Sequence, residues 1–498
     1  VTKPPAKQAK RSTVQTKTGT GHGRGYGRAP GKPGRPGKPG KPGRPGSGQG
    51  RRVARDGEGK ATADTARPLR HDLIDAAVLE VHGLVHDQGW LADRALERAL
   101  RTDRLWAAER RAAAEAVYGI TRWQGQLDWL LAAGGGPPPD LATRYAAWLC
   151  HFAGVARLDA ARRLGVPAAR LLPLEGAEAR LAGLTDPTER LSRQGSLPRW
   201  LAARFREELG EAEAAALVAV LNERAPLMVR ANLLVGTRQA LQVRLEAEGT
   251  GARPTPFSPW GLVLDGHQNA FASPSFQAGA FEIQDEGSQL IALACGARPG
   301  MTVVDACAGA GGKTLALAME MRNKGTLWAL DSDEGRLDEA RRRARRAHVD
   351  NLRTRAIPAD DGAAAALADL AGKADVVLVD APCSGLGTLR RKPDARWRLS
   401  PEDPARFAAL QKELLARFTP LLKPGGRLVY ATCAISRAEN EEVAAHALAA
   451  LPLDPAPLAA LLGAERAGAL VVEGHTLQLL PHRHGTDGFF MAAFTRRR

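Results

Sequence analysis

Two cysteines have the setting for chemistry. Cys383, in DAPCSGLG, follows the apolar run DVVLVD (375–380), and Cys433, in YATCAIS, follows RLVYAT (427–432). Both runs read as buried strands, and a thiol at the carboxyl end of a parallel strand faces the crevice where such sheets bind ligands. Two thiols so placed suit covalent chemistry, one attacking and the other helping to resolve the adduct. Taken alone, either cysteine reads as a small buried core residue. The segments around them change that reading.

The strand TVVDA (302–306) runs into CAGAGGKT (307–314) and then an apolar helix, LALAMEM. Gly309, Gly311 and Gly312 allow a tight turn and close approach of a ligand to the backbone at a helix N-terminus. A phosphate-binding GxxxxGK[ST] loop needs Gly where Cys307 stands, and a dinucleotide GxGxxG needs Gly where Thr314 stands. Neither ATP nor NAD is therefore the expected ligand.

TLWALD ends in Asp331, an acidic group placed to accept hydrogen bonds from ribose hydroxyls; a helix cap is the alternative. Asp360 and Asp361 follow the third strand, where one of them would read an adenine amino group or else cap the next helix. Asp380 closes the fourth strand, beside a base's ring nitrogen or exocyclic amine, and Pro382 stiffens the loop that presents Cys383. The segment TLRRKPDARWR (388–398) then offers Arg390, Arg391, Arg396 and Trp397, groups suited to phosphates and stacked bases of single-stranded RNA. A solvated charged loop is its alternative.

The elements that must position these residues divide the chain. Residues 1–70 form an extended, disordered basic arm, with the triplet run GKPGRPGKPGKPGRPG at 31–46 too short for a triple helix. Residues 71–195 are helical: Ile74, Val78 and Val81 recur at helical spacing, as do Leu127, Leu130 and Leu131, and after GGGPPPD (134–140) the pattern resumes through Trp148, Phe152 and Leu158. Residues 196–275 mix helix with the short strands PLMVRANLL and GLVLD, a small α+β linker module. From 276 to 498, strands at 302–306, 326–331, 352–357, 375–380 and 427–432 alternate with helices, the pattern of a doubly wound α/β sheet.

These residues carry a resemblance. DACAGAGGKT, DAPCSGLGTLRRKPDARWR, LLKPGGRLVYATCAISRAENE and LLPHRHGTDGFF resemble the bacterial ribosomal RNA 5-methylcytosine methyltransferases of the Sun/RsmB family. SLPRWLAARF, NERAPLMVRAN and FEIQDEGSQL resemble its middle segment, and TDRLWAAERRAAAEAVYGITRWQGQLDWLL its NusB-like RNA-binding domain. The resemblance covers roughly residues 71–498. It implies a Rossmann-like fold and S-adenosylmethionine held by Cys307, Ala308, Gly309, Ala310, Gly311, Gly312 and Lys313. Asp331 would hold the ribose, Asp360 or Asp361 the adenine, and Asp380 would lie beside cofactor and base. Cys433 would be the nucleophile that adds to carbon 6 of a cytosine, and Cys383 would assist release. The implied substrate is ribosomal RNA, with tRNA or a non-enzymatic RNA scaffold as rival readings. Three positions depart from the family pattern: Gly309 and Ala310 stand in place of Ala and Pro, and Arg343 in place of Asn.

Composition fits these expectations. Sixteen Lys and Arg in residues 1–60 face only Asp56 and Glu58, so the arm carries +14 of the formal +16. Such an arm suits non-specific contact with nucleic-acid phosphates, or simply solubility. The cysteines (150, 295, 307, 383, 433) form no CxxC pair, which argues against a disulfide scaffold or a metal site. No secretory or membrane-spanning apolar run is present, so a cytoplasmic protein without a membrane partner is expected.

Overall fold

The computed structural model describes residues 67–498 apart from 102–103, 267–268, 359–361 and 473. The basic arm, up to residue 66, and the Asp360–Asp361 pair lie outside the described residues. No described helix is long and apolar enough to cross a membrane.

Twelve strands are formed among the described residues: β1 Leu227–Ala231, β2 Ala252–Pro254, β3 Gly261–Leu264, β4 Phe281–Ile283, β5 Thr302–Asp305, β6 Thr326–Asp331, β7 Leu352–Ala356, β8 Ala374–Asp380, β9 Leu422–Thr432, β10 Leu453–Pro455, β11 Thr476–Leu479 and β12 Phe489–Arg496. The large sheet runs β10-β12-β9-β8-β5-β6-β7, with β11 paired to β12. β7, β6, β5, β8 and β9 are mutually parallel, while β12 lies antiparallel to β9. Strand order reverses between β5 and β8, the switch point at which doubly wound sheets open their ligand crevice. The expected five parallel strands are all present. The antiparallel edge, built from FFMAAFTR and its neighbours, is an addition that the sequence pattern does not announce.

Continuous β-branched runs in β5 and β8 follow from burial on both faces. Val304, Val377 and Val379 join one core with Leu415 and Phe418 of the helix Asp403–Phe418. Val303, Val376 and Leu378 join the other, with Ile291 of the helix Glu286–Cys295 and Leu317 of the helix Gly312–Glu320. The alternation is the two-residue period of a strand.

Upstream, β2-β3-β1-β4 form an antiparallel sheet. Its edge strand Phe281–Ile283 lies past the expected module boundary at 275. Residues 71–195 are helical, with Ile74, Val78, Val81, Leu127 and Leu131 buried in a shared core as their spacing requires. Where the helical pattern resumes, Trp148 packs against that core, while Phe152 and Leu158 are exposed.

Candidate active site

The loop after β5 turns at Gly309 (φ 52°) and Gly311 (φ 85°), left-handed values that favour glycine. A Cβ at Gly311 would lie 2.9 Å from Ala340 Cβ, so that glycine lets the loop pack on the neighbouring helix. A Cβ at Gly309 or Gly312 would meet no atom within 4 Å. The loop thus has a packed side and an open side, and the open side is a cradle for a ligand.

Asp331, at the end of β6, accepts from Gly309 N (2.8 Å) and Asp333 N (2.9 Å). Its carboxylate is fixed against the loop while keeping lone pairs for further donors. The cap of the helix Glu334–Arg346 is Asp333, which accepts from Arg336 N, so the cap alternative for Asp331 does not hold. Arg343 Nη1 donates to Ala310 O (2.9 Å) and its guanidinium pairs with buried Glu282 (2.9 Å). Two of the three departures from the family pattern, Ala310 and Arg343, therefore touch.

Asp305 lies beneath the loop. Thr314 Oγ1 donates to its Oδ2 (2.7 Å), but Oδ1 is buried with no partner. Burial pushes its pKa up to about 7. An orphaned acceptor below an open glycine face fits the ammonium group of an amino-acid-bearing cofactor. Burial also pushes the Cys307 thiol well up, so Cys307 is a neutral lining residue.

At the end of β8, Asp380 Oδ2 accepts from Lys313 Nζ (2.6 Å), with the Phe489 ring 5.7 Å from that ammonium. Burial opposes the Lys313 charge, but the Asp380 carboxylate overrides it and raises the lysine's pKa. Beyond this pair, Cys383 Sγ lies 3.3 Å from Cys433 Sγ. The contact pushes the two thiols apart in acidity: Cys433 is lowered by its hydrogen bond to Cys383, and Cys383 is raised by the same bond. Lys313 and Lys392 add to the lowering of Cys433, while burial and Asp380 oppose it.

The loops that present the thiols are tightly held. Ser384 donates through N (2.8 Å) and Oγ (2.6 Å) to Glu439, and Gln411 Nε2 donates to Pro382 O (3.0 Å). Gly387 N donates to Cys433 O (2.9 Å), and Gly488 N to Gly387 O (2.8 Å). A Cβ at Gly387 would lie 2.1 Å from Gly488 O, so the two glycines permit this approach. Glu439 and Gln411, which brace the thiol loops, and Lys392, whose charge bears on Cys433, are residues that sequence reasoning does not single out; Glu439 sits in the motif RAENE, with no spacing rule to assign it.

The arginine loop requires a correction. Arg396 is fully buried and donates to Gly195 O (3.3 Å), Ser196 O (3.1 Å) and Asn222 Oδ1 (2.8 Å). Trp397 Nε1 donates to Thr121 O (2.6 Å), and its ring fills the space a side chain at Gly125 would need. Neither is offered to RNA; both fasten the catalytic region to the helical one. Arg390 is buried, and its Nε donates to Asp487 Oδ1 (2.6 Å). Arg391 bridges Asp487 and Asp285 (2.9 Å to the latter). These carboxylates hold both guanidinium groups in place and fix the loop against the DGFF segment.

A doubly wound mixed sheet with a glycine cradle at the switch point and an acidic group ending the second strand is built for a nucleoside-bearing cofactor, and the family models that match the chain make that class the S-adenosylmethionine-dependent methyltransferases. The model of the 16S rRNA methyltransferase RsmB/F family matches residues 292–495, and that of the ferredoxin-like domain of RsmF/B-like methyltransferases matches 197–270. A probable ribosomal RNA small subunit methyltransferase B from Synechocystis sp. is 31% identical over 426 residues, 80% of this chain and 94% of that one. Its counterpart from Bacillus subtilis is 34% identical over 317 residues, 63% of this chain and 69% of that one. Among solved structures, PH0851 matches with a TM-score of 0.69 and 27% identity over 86% of this chain and 99% of that one. The chain belongs to the RsmB/F family of 16S rRNA methyltransferases, and S-adenosylmethionine is its cofactor.

Proposed function

We propose that this protein methylates carbon 5 of a cytosine in 16S ribosomal RNA, with Cys433 as nucleophile and Cys383 as the group that assists release. The observation that carries this reading is the thiol pair, 3.3 Å apart beside the Lys313–Asp380 ion pair. The names of the relatives, small subunit methyltransferases, support ribosomal RNA over tRNA.

Carbon 5 of cytosine is a poor nucleophile. Cys433, its pKa lowered, adds as thiolate to carbon 6 and makes carbon 5 enamine-like. Bound S-adenosylmethionine supplies an electrophilic methyl group. A base then takes the proton from carbon 5, and the electron pair left behind expels the Cys433 thiolate. The Cys383 S–H, in contact with that sulfur, stabilises the departing thiolate. Asp380 and Lys313 offer an acceptor and a donor to the cytosine's polar edge, which requires the base to be unpaired or flipped. Residues 307–313, with Asp305 and Asp331, hold the cofactor, and Asp360 or Asp361 its adenine.

The helical region, 71–195, is in this reading a NusB-like RNA-binding domain, joined through the linker module 196–275 to the catalytic domain 276–498. The basic arm, 1–70, adds non-specific phosphate contacts.

The test is methyl transfer by the full-length protein to a 16S rRNA transcript and, separately, to a tRNA pool, followed by bisulfite sequencing. A defined protected cytosine in the 16S transcript is expected. Methylation confined to tRNA, or at a position other than cytosine carbon 5, would overturn the reading. Failure to bind S-adenosylmethionine by calorimetry would instead favour a non-enzymatic scaffold.

A further inference from the structure

A cavity of about 480 Å³ lies where the helix Ala107–Ala132 meets the arginine loop and the residues just before β1. Arg111 and Arg122 line it from the helix, Arg224 from the approach to β1, and Arg390 and Arg391 from the loop. Glu115 is the carboxylate in the lining. Arg390 and Arg391 are neutralised by Asp285 and Asp487. No carboxylate of the described residues lies within ion-pair distance of Arg111, Arg122 or Arg224. Arg122 donates to Arg390 O (3.0 Å), yet its Nε is buried with no partner.

Arg122 is half-buried with the exposed Arg111 and Arg224 beside it, and like charges gathered around a partly buried guanidinium are costly unless an anion joins them. Burial and the neighbouring Arg224 charge both lower the Arg122 pKa, which is the cost of that arrangement. The lining supplies one carboxylate, Glu115, against three guanidinium groups that make no ion pair among the described residues.

We infer that this cavity is a phosphate-binding site for the RNA backbone, in which Arg111, Arg122 and Arg224 take phosphodiester oxygens near the nucleotide being methylated. Its position favours RNA over a small anion. The loop that gives Arg390 and Arg391 to the cavity wall is tied to the nucleophile's backbone, Gly387 N donating to Cys433 O (2.9 Å), so cavity and thiol share one loop. Planar guanidinium groups engage phosphate bidentately, and neighbouring phosphates on one strand match a row of such groups. The site spans the helical and catalytic regions, so one strand bound there would fix the helical region's RNA in register with the thiols.

The inference rests on the proposed RNA substrate, and its test separates the two. The R111Q/R224Q double variant alters two exposed side chains, so the fold is retained, and calorimetry should give unchanged S-adenosylmethionine affinity. Binding of a 16S rRNA transcript should weaken at least tenfold. The slope of log affinity against log salt should fall by about 0.7–0.9 for each phosphate that the variant no longer neutralises. KM for RNA should rise with kcat preserved, and R111K/R224K should recover part of the affinity. Inorganic phosphate at constant ionic strength should not displace the transcript; displacement would mark a small anion as the occupant and overturn the inference. Wild-type affinity and salt slope in R111Q/R224Q would overturn it too, leaving the methyl-transfer reading intact. Absence of binding and methylation by the wild type would sink both.

Discussion

Cys383 Sγ stands 3.3 Å from Cys433 Sγ, and the contact makes Cys433 the more acidic of the two thiols. A half-buried thiolate needs a donor, and the Cys383 thiol, in hydrogen-bond contact with it, can supply one. In the proposed mechanism the same contact would serve attack and release, stabilising Cys433 as an anion both before it adds to the base and as it leaves.

Separate roles for the two thiols predict separate variant phenotypes. Cys383→Ala should let the adduct form and slow its breakdown, so RNA-linked protein accumulates on a denaturing gel. Cys433→Ala should give no such band. In single-turnover reactions of Cys383→Ala, the acidic limb of adduct formation should move to higher pH, because the largest cause lowering Cys433 is gone. A band from Cys433→Ala and none from Cys383→Ala would reverse the assignment.

Lys313 acts on the same thiol by charge. Its ammonium lowers the Cys433 pKa, while Asp380 opposes it. Lys313→Met leaves the half-buried Asp380 without its cation at 2.6 Å and removes the positive charge that lowers Cys433. The Cys433 pKa should rise, measured as the pH dependence of iodoacetamide alkylation in a Cys383→Ala background. Methyl transfer at neutral pH should fall by about 100-fold or more. An unshifted alkylation profile would show that Lys313 does not tune the nucleophile.

The cofactor loop and both thiols were legible in the sequence because their signals are local. Glycines between a strand and a helix, and a cysteine just past an apolar run, carry their meaning over a short stretch of chain. Asp331 was legible for the same reason. Arg396 and Trp397 were not, because the groups that satisfy them, Asn222 and Thr121, lie far away in the chain. A buried arginine and an RNA-facing one look alike in sequence; only the packing partner distinguishes them. The strand β12 was missed because its apolar run adjoins a recognisable motif and pairs antiparallel with β9, against the parallel pattern of the strands before it.

Asp305 predicts a trade between stability and cofactor binding. Burial raises its folded-state pKa from the ordinary 3.8 to about 7. The folded protein therefore holds this proton more tightly than the unfolded chain, and the stability it brings is full below about pH 4 and lost as pH rises through about 7. Asp305→Asn keeps an acceptor for Thr314 and removes the charge. Urea unfolding without cofactor should show the variant gaining on the wild type as pH rises, on the order of 3 kcal/mol by about pH 8. Its S-adenosylmethionine affinity should drop, since the orphaned Oδ1 is the acceptor assigned to the cofactor's ammonium group. A stability difference independent of pH would refute the account.

Arg396 tests whether the arginine loop binds RNA or builds the protein. A fully buried guanidinium that donates to two carbonyls and an amide oxygen leaves those acceptors unsatisfied when it is removed. Arg396→Ala should therefore cost about 3 kcal/mol of unfolding free energy. Lysine has no counterpart to Nη2, which donates to Leu221 O (3.5 Å) while Nη1 serves the other acceptors, so Arg396→Lys should recover only part of the loss. An RNA-contacting arginine would behave differently: its loss would lower the salt slope of RNA binding and leave the melting curve unmoved. The expected result is a lower Tm for Arg396→Ala with the salt slope retained at temperatures where the variant is folded. A normal Tm with a reduced slope would return Arg396 to the RNA-binding surface.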